Sequence, residues 1–227
     1  MFLRQLLIKT LKRLTTEIVV VVNDDDALTE SAERFQSVPL IRRANTGMNI
    51  GGWGATYRFY PNYDFYIFMQ DECEVIREDF VNAYQSELSK DNVGMTGEVI
   101  NQKWNIEWTK LALSPLNYIA GVDALGMPIP RVTYYLQCLR DWEIDPGVHA
   151  THLRALVWGF NSRALEVIKN FPVGLNKEQC IAAEIAVSKK IEQHGYKVTQ
   201  VSDFPFRYIH HVEWRKGGLN KKRQALC

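Results

Sequence analysis

The stretch EIVVVVNDDDA, residues 17–27, sets five apolar residues in a row, four of them valine, and follows them with an asparagine and three carboxylates. A continuous β-branched run suits a strand covered on both faces, the environment of a parallel sheet, rather than an alternating surface strand. Further strands are expected at VPLIRRAN, DFYIFMQ, NVGMTGEVIN and KVTQVS. Between them lie segments with helical spacing. Phe2, Leu3, Leu6, Leu7, Leu11 and Leu14 share one face at the start, TESAERF reads as a short helix, and REDFVNAYQSELSK as a longer one. LRALVWGFNSRALEVIKNF reads as strand then helix, and NKEQCIAAEIAVSKKIEQHGY as a long helix stopped at Gly195. Strands alternating with helices predict an α/β sandwich with a mostly parallel central sheet, and no internal repeat is visible. Residues 101–150 are rich in Trp, Tyr and Pro and show no clear period.

In sheets of that kind, ligands sit at the carboxyl ends of the strands. Both acidic clusters fall there: Asn23 to Asp26 after one strand, and Asp71 to Glu74 after another. Each alone is compatible with a solvated turn; together they suggest a polar ligand accompanied by a cation. Ahead of the second cluster stands NIGGWGATYRFYPNYDFYIFMQDECEV, residues 49–75, with three glycines within four residues. These glycines have neither the G-x-x-x-x-G-K-[ST] pattern of a phosphate loop nor the G-x-G-x-x-G spacing of a dinucleotide turn. A net charge of +1 excludes bulk attraction to nucleic acid. No run reaches the roughly 18 apolar residues needed to span a bilayer, and the start lacks the features of a secretory signal. Cys73, Cys138, Cys180 and Cys227 are far apart and form no C-x-x-C pair, which fits reduced cytoplasmic thiols.

ANTGMNIGGWGATYRF followed by YDFYIFMQDECEVIREDF resembles the donor-binding half of the family 2 glycosyltransferases, over residues 17–82 and more loosely over 150–211. The resemblance implies the GT-A fold, a Rossmann-like three-layer sandwich, in a single domain. Residues 1–100 would be its nucleotide-sugar half, 101–211 its acceptor half and 212–227 a basic tail. The strand with which the family usually opens has no counterpart here, so the first strand is expected to be missing. It further implies a nucleotide-sugar donor, most readily a UDP-sugar, and an inverting transfer to a glycan or lipid-linked hydroxyl. Asn23, Asp24, Asn49, Gly51, Gly52 and Asp71 would line the donor site, the glycines letting backbone approach the nucleotide. Asp71 and Glu72 would hold Mn or Mg against the diphosphate, with His210 (His211 beside it) as a third ligand from the far side. Gln70 stands where many members carry Asp. Glu184 takes the register of the family's general base, Ala183 stands where the preceding Glu would be, and Glu178 is the runner-up.

Each of these residues has a plainer alternative. Glu184 could be a helix carboxylate paired with Lys, and the histidines structural. Trp158, the expected acceptor contact, could be a core residue like Trp104, Trp108 and Trp142, and Trp53 could lie in the turn without touching a donor. The basic tail (Arg215, Lys216, Lys221, Lys222, Arg223) is a solvated end or a contact to the anionic inner face of a membrane. Two other readings stand beside sugar transfer. One is a catalytically silent module of the same fold that binds a glycan or partner protein; the other is a nucleotidyltransferase, for which no basic glycine-rich loop is visible near the start.

Overall fold

The computed structural model describes residues 17–27, 29–35 and 38–211. The expected N-terminal helix and the basic tail lie outside them. Strands β1 (Val20–Asn23), β2 (Ser31–Phe35) and β3 (Val38–Arg43) lead into helix α1 (Met48–Phe59). Then follow β4 (Phe65–Met69), β5 (Cys73–Val75), α2 (Phe80–Leu88), β6 (Val93–Gly97), α3 (Trp108–Ala112), β7 (Ile119–Val122), β8 (Pro128–Pro130) and α4 (Arg131–Asp141). The chain continues through β9 (Val157–Asn161), α5 (Ser162–Ile168), α6 (Lys177–Gln193), β10 (Lys197–Gln200) and β11 (Ile209–His211).

The protein is α/β, but its strands form mixed sheets. One sheet has the order β1-β3-β2 and another β10-β6-β9-β4, while β11-β5 and β7-β8 are two-stranded. Only β1–β3 and β6–β10 pair in parallel among the described residues; β9 runs antiparallel to both β4 and β6. The expectation of a mostly parallel sheet is corrected accordingly. The two larger sheets meet under α1, which sets Trp53 against Phe68 of β4, ring centroids 5.8 Å apart, and Gly52 against Val21 of β1.

Two local expectations change with tertiary context. SAERF, expected as helix, is the strand β2, paired antiparallel with β3. Ala, Glu and Arg favour helix in isolation, but the β3 backbone offers a ladder, and the exposed Glu33 and Arg34 suit a sheet edge. The glycine stretch, read as a turn, is the body of α1 itself. Gly47, at φ 75°, takes the left-handed conformation before it and makes the turn.

Helix α6 is the hub of the fold. Asn176 accepts a hydrogen bond from the Gln179 amide at its start, and Gly195, at φ 83°, turns the chain away after its end, where a stop was expected. Ala183, Val187 and Ile191 pack into the sheet core with Trp158 and Phe160. Ala182, Ile185 and Ala186 face the other way, onto Trp104, Trp108, Tyr135 and Leu139. The aperiodic middle of the sequence is therefore a second layer of short helices laid against α6.

A third cluster, around Tyr84, Leu156, Phe206 and Ile209, encloses Glu98, whose residue is 2% exposed. Burial pushes its carboxyl up to about 7, opposed by the Tyr208 backbone N–H and the Tyr84 hydroxyl, which donate to it. A carboxyl raised from 4.5 stabilises the fold fully below pH 4.5 and loses that contribution as pH climbs through 7. The loss amounts to about 3 kcal/mol. Denaturant midpoints measured at pH 5 and pH 8 should therefore fall with pH, and Glu98→Gln should flatten the slope substantially. An unchanged slope in the variant would place the dependence elsewhere.

Candidate functional site around Ala155

Three elements distant in sequence converge on one residue. At the start of α1, Asn49 Nδ2 donates to the Ala155 carbonyl at 2.8 Å. Just past β4, Gln70 Nε2 donates to the same oxygen at 2.5 Å. From the middle of α6, Glu184 Oε2 accepts from the Ala155 N–H at 3.1 Å. The turn after β4 carries Asp71 and Glu72, both exposed. The glycine helix, the end of β4 and Glu184 thus meet at Ala155.

Glu184 is half-buried, and burial raises its carboxyl to about 7; the Ala155 N–H pulls it down, with smaller help from Arg154 and Arg131. Arg154 is itself half-buried and donates to Asn101 Oδ1 at 3.1 Å. Burial lowers its pKa, and the Glu184 charge offsets part of that. Glu178, the runner-up base, is held otherwise. Its carboxylate accepts from the Tyr135 hydroxyl at 2.5 Å and the Tyr118 hydroxyl at 3.2 Å, and lies 3.8 Å from Arg131. Arg131 in turn lies over the Trp104, Tyr118 and Tyr135 rings. Both oxygens of Glu178 thus accept a tyrosine hydroxyl, whereas the hydrogen bond found for Glu184 among the described residues is the one from the Ala155 N–H.

His211, not His210, faces the acidic turn. Its Nε2 lies 2.9 Å from Gln70 Oε1 and 3.4 Å from Glu72 Oε2. Because Gln70 spends its amide NH2 on Ala155, its oxygen accepts from His211 Nε2. His211 Nδ1 is buried with no hydrogen-bond partner among the described residues. His210 is placed opposite Glu74 across the β11–β5 pairing, with its ring near Phe206. Neighbouring residues of a strand point to opposite faces, so only one of the two can look at Glu72. The expectation placed on His210 passes to His211.

The remaining expected site residues have partners inside the chain. Asn23 Nδ2 donates to the Met48 carbonyl and its Oδ1 accepts from Arg43 Nη1. Asp24 accepts from the Asp26 N–H and from Arg42, and these bonds hold its carboxyl below the usual range. A Cβ on Gly51 would lie 2.0 Å from the Thr46 carbonyl oxygen, and one on Gly52 would lie 3.2 Å from Val21 Cγ1. The close approach these glycines permit is to the protein's own backbone and β1, not to an open nucleotide surface. Trp158 is 0% exposed and packs edge-on to Trp53, centroids 5.0 Å apart. No face of its ring is free for a sugar, so it is a core residue.

Ala155 and Arg154 were missed by sequence reasoning. For Ala155 no local signal exists, because its role is carried entirely by its backbone. Among the described residues, no three His, Cys, Asp or Glu side chains cluster to hold a metal by themselves. No helix among them is long and apolar enough to cross a membrane. No protein-family model matches the chain, and no curated protein matches it.

Proposed function

We propose that the protein transfers a sugar, with inversion, from a nucleotide-sugar to a hydroxyl acceptor on a GT-A-like fold. The observation that carries this reading is the junction at Ala155, where α1, the end of β4 and α6 meet. It sets a carboxyl with a pKa of about 7 beside an acidic strand end. A carboxyl titrating near neutrality is suited to accept a proton at neutral pH.

In the proposed step the Glu184 carboxylate takes the proton of the acceptor hydroxyl as that oxygen bonds to the anomeric carbon. The bond from that carbon to the diphosphate oxygen breaks on the opposite face, and its electron pair leaves with the nucleoside diphosphate. Asn49 and Gln70 hold the Ala155 carbonyl from two sides, so the N–H that orients Glu184 is fixed before reaction. Arg154 supplies positive charge close to the base. Asp71 and Glu72 would hold Mn or Mg, which binds through one or two carboxylates and takes its other ligands from phosphate oxygens and water. Such an ion would offset the charge that develops on the leaving diphosphate. In this reading the acceptor is a glycan or lipid-linked hydroxyl and the enzyme works in the cytoplasm, at the inner membrane face where its acceptor is lipid-linked.

The test is a thermal-shift panel of UDP-, GDP- and dTDP-sugars with and without manganese. One donor should stabilise the protein in a manganese-dependent way, and Glu72→Gln should abolish that dependence with the fold retained. Donor affinity indifferent to both EDTA and this substitution would exclude the metal role. A second reading is favoured by Asp24, Gly51 and Gly52, whose expected donor-binding capacity is taken up by contacts within the chain. On that reading the protein is a silent module that binds a glycan or partner protein. No nucleotide-sugar would then shift its melting temperature.

A further inference from the structure

Helix α1 has a second functional-looking side. Asn49 and Gly51 are two positions apart, about 200° around the helix, so the Gly51 side is turned away from Ala155. There a cavity of about 310 Å³ opens between Thr29, Glu30, Arg43, Thr46, Gly51 and Arg58. Gly51, Gly54 and Arg58 follow one another along this side of the helix. A Cβ on Gly51 would come 2.0 Å from the Thr46 carbonyl oxygen and 3.1 Å from Arg43 Nη2, and one on Gly54 3.2 Å from Phe171 and 3.8 Å from Arg58 Nη1. Arg43 and Arg58 bring two guanidinium groups to the cavity wall.

Those groups are unequal. The Arg43 side chain is 6% exposed and is fixed by Nη1 to Asn23 Oδ1 and Nη2 to the Thr46 carbonyl, both at 2.8 Å. Its Nε reaches Glu30 Oε1 only at 3.4 Å, beyond the usual range. The Arg58 side chain is 52% exposed, and one of its nitrogens donates to both Glu30 oxygens at 2.8 Å. Arg58 chiefly, then Arg43, hold the Glu30 carboxyl below its usual range. Two cations thus face one carboxylate, and the adjoining N-terminus of α1 has neither a side-chain cap nor an acidic residue in its first turn. Among the described residues the charge balance there is positive. Glu30 sits between β1 and β2 and is itself one-third exposed, so it can withdraw without disturbing either strand. Exposed ion pairs of this kind contribute little.

We propose that this cavity binds a phosphate monoester, and that Glu30 holds the place of its phosphate group when the ligand is absent. A dianion matches both guanidinium groups, whose planar forks suit phosphate oxygens, whereas a monocarboxylate would do no better than Glu30. The proposal is independent of the sugar-transfer reading, since the cavity and Ala155 lie on different sides of α1.

The experiment is isothermal titration of the full chain with inorganic phosphate and with glucose 6-phosphate, at fixed ionic strength and in EDTA. Sodium acetate serves as the monoanion control. Saturable binding of phosphate but not acetate is expected, with glucose 6-phosphate binding more tightly than phosphate. Arg58→Ala should weaken binding at least tenfold. Glu30→Gln, which removes the competing carboxylate, should tighten it by about tenfold, one charge-assisted hydrogen bond's worth. A gain of affinity cannot come from a misfolded variant. The proposal is overturned by an absence of saturable binding in both wild type and Glu30→Gln, by equal binding of acetate, or by an Arg58→Ala protein that binds as wild type. Binding in EDTA, retained in Glu72→Gln, separates this site from a metal-dependent donor site.

Discussion

Glu184→Gln is expected to lower turnover by about 10²- to 10⁴-fold, the usual contribution of a positioned general base. The amide keeps the size of the carboxylate and can still accept the Ala155 N–H, so the junction of α1, β4 and α6 should survive. Donor binding should survive with it, because the carboxylate meets the acceptor hydroxyl rather than the diphosphate. In the wild type, rate should rise with pH and level off above about 7, where the carboxyl is ionised. That acidic limb should vanish in the variant. Glu178→Gln is the control. Its carboxylate is bound by Tyr135, Tyr118 and Arg131, so the change should cost stability and leave the pH profile in place. A severe Glu178→Gln with a mild Glu184→Gln would move the base toward the start of α6. Retention of the donor's anomeric configuration would refute single displacement altogether.

Gly51→Val is expected to prevent folding or to lower the melting temperature by roughly 10 °C or more. Even the first added carbon would stand 2.0 Å from the Thr46 oxygen and 3.1 Å from its carbonyl carbon, both backbone atoms. Relief requires α1 to move off the strand ends. That would strip Trp53 from Phe68 and Trp158 and break the Asn49 bond to Ala155. Overpacking of this severity costs about 3 kcal/mol or more, and about 2–4 °C is lost per kcal/mol in a domain of this size. Gly51→Ala should already show much of the effect, measured by thermal unfolding without any ligand. Were Gly51→Val to melt like the wild type and fail only to bind a nucleotide-sugar, the glycine would serve the ligand and not the packing.

Much was legible locally. The Val20–Asn23 strand and the aromatic strand Phe65–Met69 follow from continuous apolar runs, and α2, α5 and α6 with its stop at Gly195 from the helical period of 3.6. Such periods are properties of neighbouring residues, and so is the placing of polar residues at strand ends. Asn49, Glu72 and Glu184 are singled out by the resemblance of their motifs to a known family and not by these periods.

What the tertiary structure alone decided depends on contacts across long separations. SAERF became a strand because β3 offered unpaired backbone, a stronger claim than intrinsic helix preference. Between His210 and His211, the β11–β5 register decided which one faces Glu72. Trp158 went into the core because β9 is flanked by β4 and β6 and covered on its faces, a topology that no property of its neighbours in sequence reveals. Ala155 lies 106 residues from Asn49 and 29 from Glu184. Composition and periodicity therefore determined an α/β chain with polar strand ends. The junction at Ala155 was assembled by the packing of α1 and α6 against the backbone ahead of β9, because hydrogen bonds and close contacts act through space and not along the sequence.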